Sequence, residues 1–130
     1  MPTDRYLQGV TRLGRPSVGH ASSAGKVLLA FGGGPLPRGR LQRFTPQTIT
    51  DPDLLAREIE TVRRQGWAVA IDEREPGLAA VAAPAWDSTA TLAAIVALQG
   101  PTSRFDRAAI GRALPLLLGC TSAISRALGH

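Results

Sequence analysis

The sequence predicts an α/β (α+β) domain in which helices pack on a largely antiparallel sheet. Three observations lead to this prediction: the length of 130 residues fits one domain, a well-bounded helix covers residues 51–65, and three strand-like segments follow it. The whole predicted order is strand, helix, helix, three strands, helix. That order is typical of helices packed on a sheet.

The clearest helix has signals at both ends. Thr50 and Asp51 can cap its start, Pro52 suits its first turn, and Gly66 can terminate it. The predicted apolar stripe consists of Leu55, Ile59 and Val62. Two acid–arginine pairs at i,i+4 spacing are expected to support the helix as surface ion pairs. These pairs are Asp53–Arg57 and Glu60–Arg64.

An earlier helix is predicted over His20–Phe31. It starts near Ser22 or Ser23, and the Gly- and Pro-containing run at 32–35 ends it. The Gly25-Lys26 pair inside this helix does not complete a phosphate-loop motif. The preceding glycine lies one residue too far away, and no Ser or Thr follows the lysine. The pair therefore gives no support for a nucleotide site.

Four segments are strand-like: Tyr6–Val10, Trp67–Ile71, Leu78–Ala83 and Thr91–Leu98. A turn-rich connection at 12–19 joins the first of them to the following helix. The last is rich in Ala, Ile and Val and is expected to be a central strand. Alternation assigns Leu92, Ala94, Val96 and Leu98 to one of its faces, and Ala93, Ile95, Ala97 and Gln99 to the other.

A closing helix is predicted to start near Ser103 or Asp106, to kink at Pro115 and to run towards Leu128. Cys120, the single cysteine, lies in its apolar part and is expected to be a buried structural thiol. No intramolecular disulfide can form from it. The chain shows no signal peptide and no apolar run long enough to span a membrane, so we expect a cytoplasmic protein without a membrane partner.

The charge balance is strongly basic, with a net charge of +5 and a sequence pI of about 11.0. The basic residues are almost all arginines spread along the chain, and Lys26 is the only lysine. The nearest approach to a cluster is Arg38, Arg40 and Arg43, with no aromatic ladder for stacking bases. A solvated basic surface is therefore favoured over direct nucleic-acid binding.

Catalytic and metal-binding patterns are weak. His20 and His130 are the only histidines, which argues against a metal site, and no cofactor is predicted. The serines near His20 are expected to cap a helix rather than to act as nucleophiles. The remaining acidic candidates lie in one charged turn that is expected to be solvated: Asp72, Glu73 and Glu75. A binding module is thus preferred to an enzyme.

Several stretches in order resemble the effector domains of the IclR family of transcriptional regulators. The matching stretches are 20–30 (HASSAGKVLLA), 43–51 (RFTPQTITD), 66–69 (GWAV), 72–84 and 100–104 (GPTSR). The resemblance implies a GAF-like α/β domain that binds a small metabolite and forms homodimers or tetramers. It also implies that residues 1–130 are one effector-binding domain, partial at its N-terminus. The winged helix-turn-helix that binds DNA in this family is not expected within them.

The resemblance also implies a set of ligand-binding residues. Ser23 and Ala24 match backbone positions at a helix start that hold a ligand carboxylate, and Leu78 matches an apolar wall. The positions where keto-acid-binding relatives carry Asp, Cys and two Ser are here Ala70, Ala80, Ala97 and Gln99. Asp72, two residues beyond Ala70 on the same nominal strand face, could add a polar contact. Since three polar positions are alanine, we expect a larger, more apolar ligand, such as an aromatic acid.

Three alternatives stay open. The pocket could have collapsed, so that the chain only oligomerises with full-length relatives. A small-molecule enzyme could use His20 or the carboxylates of Asp72 and Glu73. Direct DNA binding is the weakest alternative, and it would be recognised by a strong dependence on salt.

Overall fold

The computed structural model describes the backbone of residues 7–10 and all of residues 19–130. Seven elements follow in the predicted order: β1 (Leu7–Val10), α1 (Ser23–Phe31), α2 (Pro52–Gln65), β2 (Ala68–Ile71), β3 (Leu78–Trp86), β4 (Leu92–Pro101) and α3 (Arg107–Ala127). Tyr6 and the connection at 11–18 lie outside the described residues. The α+β fold class predicted from the sequence is confirmed.

The four strands form one antiparallel sheet in the order β1-β4-β3-β2. β4 is an inner strand, as its composition predicted. Both inner strands are longer than predicted, since β3 continues to Trp86 and β4 to Pro101. β3 and β4 pair with each other along almost their whole length, from Leu78–Pro101 to Trp86–Leu92, and this pairing holds the centre of the sheet together.

A bulge changes the faces of β4 near its start. The flanking pairs are Ala85–Ala94 and Trp86–Leu92. Ala93 is therefore an extra, exposed residue, and Leu92 joins the same core cluster as Ile95. The predicted alternation is wrong at Leu92, because strict alternation ignores an inserted residue. It holds further along the strand, where Val96 and Ala97 belong to different clusters.

On one face of the sheet, α1 packs against the strands and α2 packs against α1. The predicted stripe of α2 is confirmed, since all three residues are buried: Leu55, Ile59 and Val62. Asp51 caps its start, and Gly66 ends it with a left-handed φ of 92°. The two predicted surface ion pairs of α2 do not form, because every ion pair among residues 19–130 involves Lys26. This helix is thus stabilised by its caps and by the burial of its apolar stripe.

The other face of the sheet is covered by α3. Asp106 caps this helix, and Ile110 and Leu117 are buried against the sheet. Leu116, one position away from Leu117, is 77% exposed. Cys120 is also exposed, so the predicted buried thiol is wrong: an apolar neighbourhood in sequence does not place a residue on the packed side of a helix.

By length and composition, α3 could cross a membrane, with a mean hydropathy of 1.4 over its most apolar window. The prediction that no apolar run is long enough to span a membrane is therefore wrong. One such helix is weak evidence for insertion, since the core helix of a soluble protein passes the same test. Pro115 lies within α3, and the kink expected there stays a prediction.

Candidate functional site

A cavity of about 300 Å³ lies between the start of α1 and the sheet. Its floor is a row across three strands, in which Ala70 is paired with Ala80 and Ala80 with Gln99. Ala97 and Leu78 also line it. The alanine side chains of the floor are small and fill little of the space between helix and sheet, so the cavity stays open.

The start of α1 brings backbone donors to the cavity. Ser22 caps the helix, and its Oγ accepts from the N–H of Gly25 at 3.0 Å. The N–H groups of Ser23 and Ala24 belong to the first turn, and no acceptor for them is present within residues 19–130. Two free donors at the positive end of a helix favour an anionic or acceptor group in the cavity.

Gly25 is required by close packing. A Cβ at this position would touch the backbone of Gly19 and would lie 2.7 Å from the Gly19 carbonyl oxygen. The helix start therefore approaches the preceding chain at a distance that only glycine permits. This close approach explains why residue 25 of the Gly25-Lys26 pair is glycine. The sequence alone gave the pair no role.

Seven of the eight predicted ligand-binding residues line this cavity, and these are the seven taken from the family resemblance: Ser23, Ala24, Ala70, Leu78, Ala80, Ala97 and Gln99. Asp72 does not. β2 ends at Ile71, and Asp72 has a left-handed φ of 59°, so strand alternation no longer fixes its direction. Its Oδ1 accepts from the N–H of Gly77 at 2.7 Å and closes the turn. The geometry therefore gives its carboxylate a turn-forming role.

Two charged residues on the cavity wall were missed. Arg74 and Glu75 line the cavity from the turn between β2 and β3. The Arg74 guanidinium lies 4.7 Å from the centre of the Phe44 ring, and that ring stacks on His20 at 5.6 Å. The strand order offered one signal for Arg74 and Glu75. A turn that joins two strands of the cavity floor lies at the same end of the sheet as the floor residues next to it, so its side chains can reach the cavity.

Lys26, the second residue of the Gly25-Lys26 pair, is buried and has a structural role. The side chain of Lys26 is fully buried, and its three N–H donors reach Glu58 Oε2 at 2.9 Å, Val69 O at 3.0 Å and Glu73 Oε2 at 3.0 Å. Glu73 Oε1 is 2.9 Å from the same Nζ but is left without a hydrogen bond. Lys26 thus joins α1 to α2 and to the end of β2.

Glu73 is not the solvated turn residue that the sequence suggested. Burial raises the pKa of its carboxyl above the usual value, and the attraction and hydrogen bond of Lys26 oppose that increase. The backbone of the same turn accepts hydrogen bonds from Thr45, to Asp72 O, and from Thr48, to Glu73 O. The turn that carries Arg74 is therefore fixed from two sides.

The structure gives His20 a packing role. His20 is buried, stacks on Phe44, and places Nε2 2.7 Å from the carbonyl oxygen of Gln42. Ser22, the neighbouring serine, is occupied as a helix cap. Among the described residues, no group of three or more His, Cys, Asp or Glu side chains is placed to hold a metal ion.

A larger cleft of about 600 Å³ lies at the opposite end of the sheet, between the ends of α2 and α3. Arg63, Arg64 and Arg126 line it together with Trp86. The first two lie in the last turn of α2 and the third in the last turn of α3, where cations interact favourably with helix carbonyls. The size of this cleft does not by itself make it a binding site.

Comparison with known proteins identifies the family. The profile described as "Bacterial transcriptional regulator IclR C-terminal" matches residues 2–126. The HTH-type transcriptional regulator XynR of Escherichia coli is 34% identical over 125 residues, which are 92% of this chain and 50% of XynR. BhcR of Paracoccus denitrificans, another HTH-type regulator, is 40% identical over 101 residues, or 73% of this chain and 36% of BhcR.

Solved structures agree. The inducer-binding domain of PobR from Acinetobacter, a double mutant in complex with 3-hydroxybenzoic acid, aligns with a TM-score of 0.72 and 26% identity, covering 82% of this chain and 66% of that one. IclR of Thermotoga maritima gives 0.73 and 30%, covering 86% of this chain and 47% of that one.

This chain belongs to the IclR family of bacterial transcriptional regulators and corresponds to their C-terminal region. It spans half the length of XynR and about a third of BhcR. The relatives named above are transcriptional regulators, which agrees with the preference for a binding module.

Proposed function

We propose that this chain is a non-enzymatic effector sensor whose ligand is an organic acid with an apolar or aromatic body. The observation that carries the proposal is the cavity at the start of α1, where free backbone donors face a floor of alanines. The donors suit a carboxylate, and the alanines suit an apolar body. The acid bound by PobR, 3-hydroxybenzoic acid, has both parts.

Sensing would be coupled to transcription in the cytoplasm through the assembly of subunits. An effector that binds one arrangement of subunits better than another shifts the population towards it, by no more than that difference in affinity. DNA contact is assigned to a separate helix-turn-helix domain such as the names of XynR and BhcR indicate, not to residues 19–130. No cofactor and no membrane partner form part of the proposal.

The proposal is tested by thermal melts of the chain in a series of organic acids. A ligand at about 100 times its Kd stabilises the folded state by about 2.7 kcal/mol, which is a shift of several degrees for a domain of this size. Ala80→Leu should fill the cavity and abolish the shift, while Ala123→Leu, on the exposed side of α3, should keep it. Equal shifts in both variants would contradict binding in this cavity.

The second candidate is a chain that only oligomerises and binds no effector. The observation that favours it is the side of α3 that faces away from the sheet, where Leu116 is 77% exposed in this chain alone. Analytical ultracentrifugation should find a dimer or tetramer that Leu116→Gln weakens. If melts respond to no acid while this assembly persists, the oligomerisation-only function replaces the sensor.

A further inference from the structure

The two charged side chains on the cavity wall, those of Arg74 and Glu75, have opposite signs. Neither forms an ion pair with any residue in 19–130. The guanidinium is a permanent positive charge with five donors, whereas the first turn of α1 supplies only the partial charges of backbone N–H groups. Arg74 is therefore the full positive charge available to an anion in this cavity.

Arg74 is held in place before any ligand arrives. Its guanidinium lies over the Phe44 ring at 4.7 Å, and the other neighbour of that ring is the buried His20. His20 is in turn 2.7 Å from the carbonyl oxygen of Gln42. A guanidinium that stacks on a supported ring loses less rotational freedom on binding than one free in solvent.

The backbone that carries Arg74 is fixed as well. Thr48 Oγ1 donates to Glu73 O at 2.6 Å, and Thr45 Oγ1 donates to Asp72 O. The carboxylate of Glu73 is ion-paired with the buried Lys26. Contacts on two sides thus position the turn beside the cavity, so the location of the Arg74 charge does not depend on a mobile loop.

We infer that Arg74 binds the anionic group of the effector and selects deprotonated acids against neutral analogues of the same shape. This inference rests on the proposed function, because it assigns a residue to recognition of the same ligand. Charge-assisted bonds from a guanidinium to a carboxylate are about twice as strong as neutral hydrogen bonds. Glu75 opposes the same anion and limits its affinity.

The test is calorimetric titration with matched pairs of an acid and its amide: benzoate with benzamide, and 3-hydroxybenzoate with 3-hydroxybenzamide. The wild-type chain should bind an acid more tightly than its amide. Arg74→Gln should weaken binding of the acid about tenfold or more and leave that of the amide unchanged. Because Arg74 is exposed on a turn, this variant should keep a cooperative melt.

Two matched variants control for general charge effects. Glu75→Gln should bind the acid as tightly as the wild type or more tightly, and Arg112→Gln, which removes an exposed arginine of α3, should leave its affinity unchanged. Acid binding that is equally tight with and without Arg74 overturns this inference and leaves the effector sensor standing. Wild-type chain that binds no member of either pair overturns the inference together with the proposed ligand class.

Discussion

The two faces of the sheet are built differently. On one face, α1 is packed against α2 and the sheet, with Gly25 pressed on the backbone of Gly19 and Lys26 completely buried. On the other face, α3 is the only helix within residues 19–130, and Leu116 is left mostly exposed. The α1 side therefore allows few substitutions and carries the cavity of about 300 Å³, while the α3 side has room to change. The larger cleft lies between the ends of α2 and α3, at the other end of the sheet, so cavity size and structural constraint point to different places.

The largest effect is expected at Lys26. Lys26→Met removes the charge that is shared by two carboxylates and leaves Glu73, whose side chain is only 15% exposed, without a counter-ion. We expect a loss of about 3 kcal/mol in the free energy of unfolding, at the low end for a buried pair because Glu58 is about one-third exposed. Urea denaturation at neutral pH measures it. Glu58→Gln is the control, with a loss of about 1 kcal/mol or less.

On α3, neighbouring leucines should behave differently. Leu117→Ala removes a side chain that is 2% exposed and should destabilise the fold by about 2.5 kcal/mol, since one side of α3 can relax around the cavity that forms. Leu116→Ala should change the stability of the monomer by less than about 0.5 kcal/mol. Denaturation at a concentration where the chain is monomeric compares them, and equal losses would mean that Leu116 is buried in solution.

Gly25→Ala tests the close packing on the α1 side of the sheet directly. The added methyl group would meet the carbonyl oxygen of Gly19 at 2.7 Å, so the helix start must move. We expect a loss of about 2 kcal/mol together with weaker effector binding. Gly119→Ala on α3, where a Cβ would meet nothing within 4 Å, is the control and should be neutral or slightly stabilising. A stable Gly25→Ala chain would contradict the close approach.

The smallest effect is the pH dependence contributed by Glu73. Because burial raises its folded pKa, its contribution to stability is greatest below the unfolded value near 4.5 and is lost as the pH rises through the raised folded value. The stability of the wild type relative to Glu73→Gln should therefore fall as the pH increases through this range. Denaturation curves at several pH values measure this difference. The opposite slope would mean that the attraction of Lys26 exceeds the effect of burial.

The parts of the fold that could be predicted are those with local causes. Asp51 and Gly66 bound α2 because caps act within a few residues, and the apolar stripe follows from helical periodicity. The bulge at Ala93 and the burial of Lys26 depend on partners in other strands and helices, which no local pattern contains. Cys120 was misplaced because composition does not define which side of a helix packs.

The residues that line the cavity were predicted in two ways, and these differ in reliability. The family resemblance named seven residues that the fold brings to one cavity, and alternation on β4 supported the grouping of Ala97 with Gln99. Asp72 was wrongly extrapolated from β2, because the strand ends one residue earlier. Arg74 and Glu75 were missed because a charged turn was interpreted as solvated. Their position depends on Phe44 and the threonines of a distant segment.

The central claim is that the cavity at the start of α1, not the larger cleft beside α3, binds an organic acid. It is tested most directly by titrating 3-hydroxybenzoate and benzoate into isotopically labelled chain and following the backbone amide resonances by NMR. The account predicts that the largest saturable shifts belong to Ser23 and Ala24, with Arg126 and Ser122 in the cleft unchanged. Shifts centred on the cleft, or none at any residue, would contradict it.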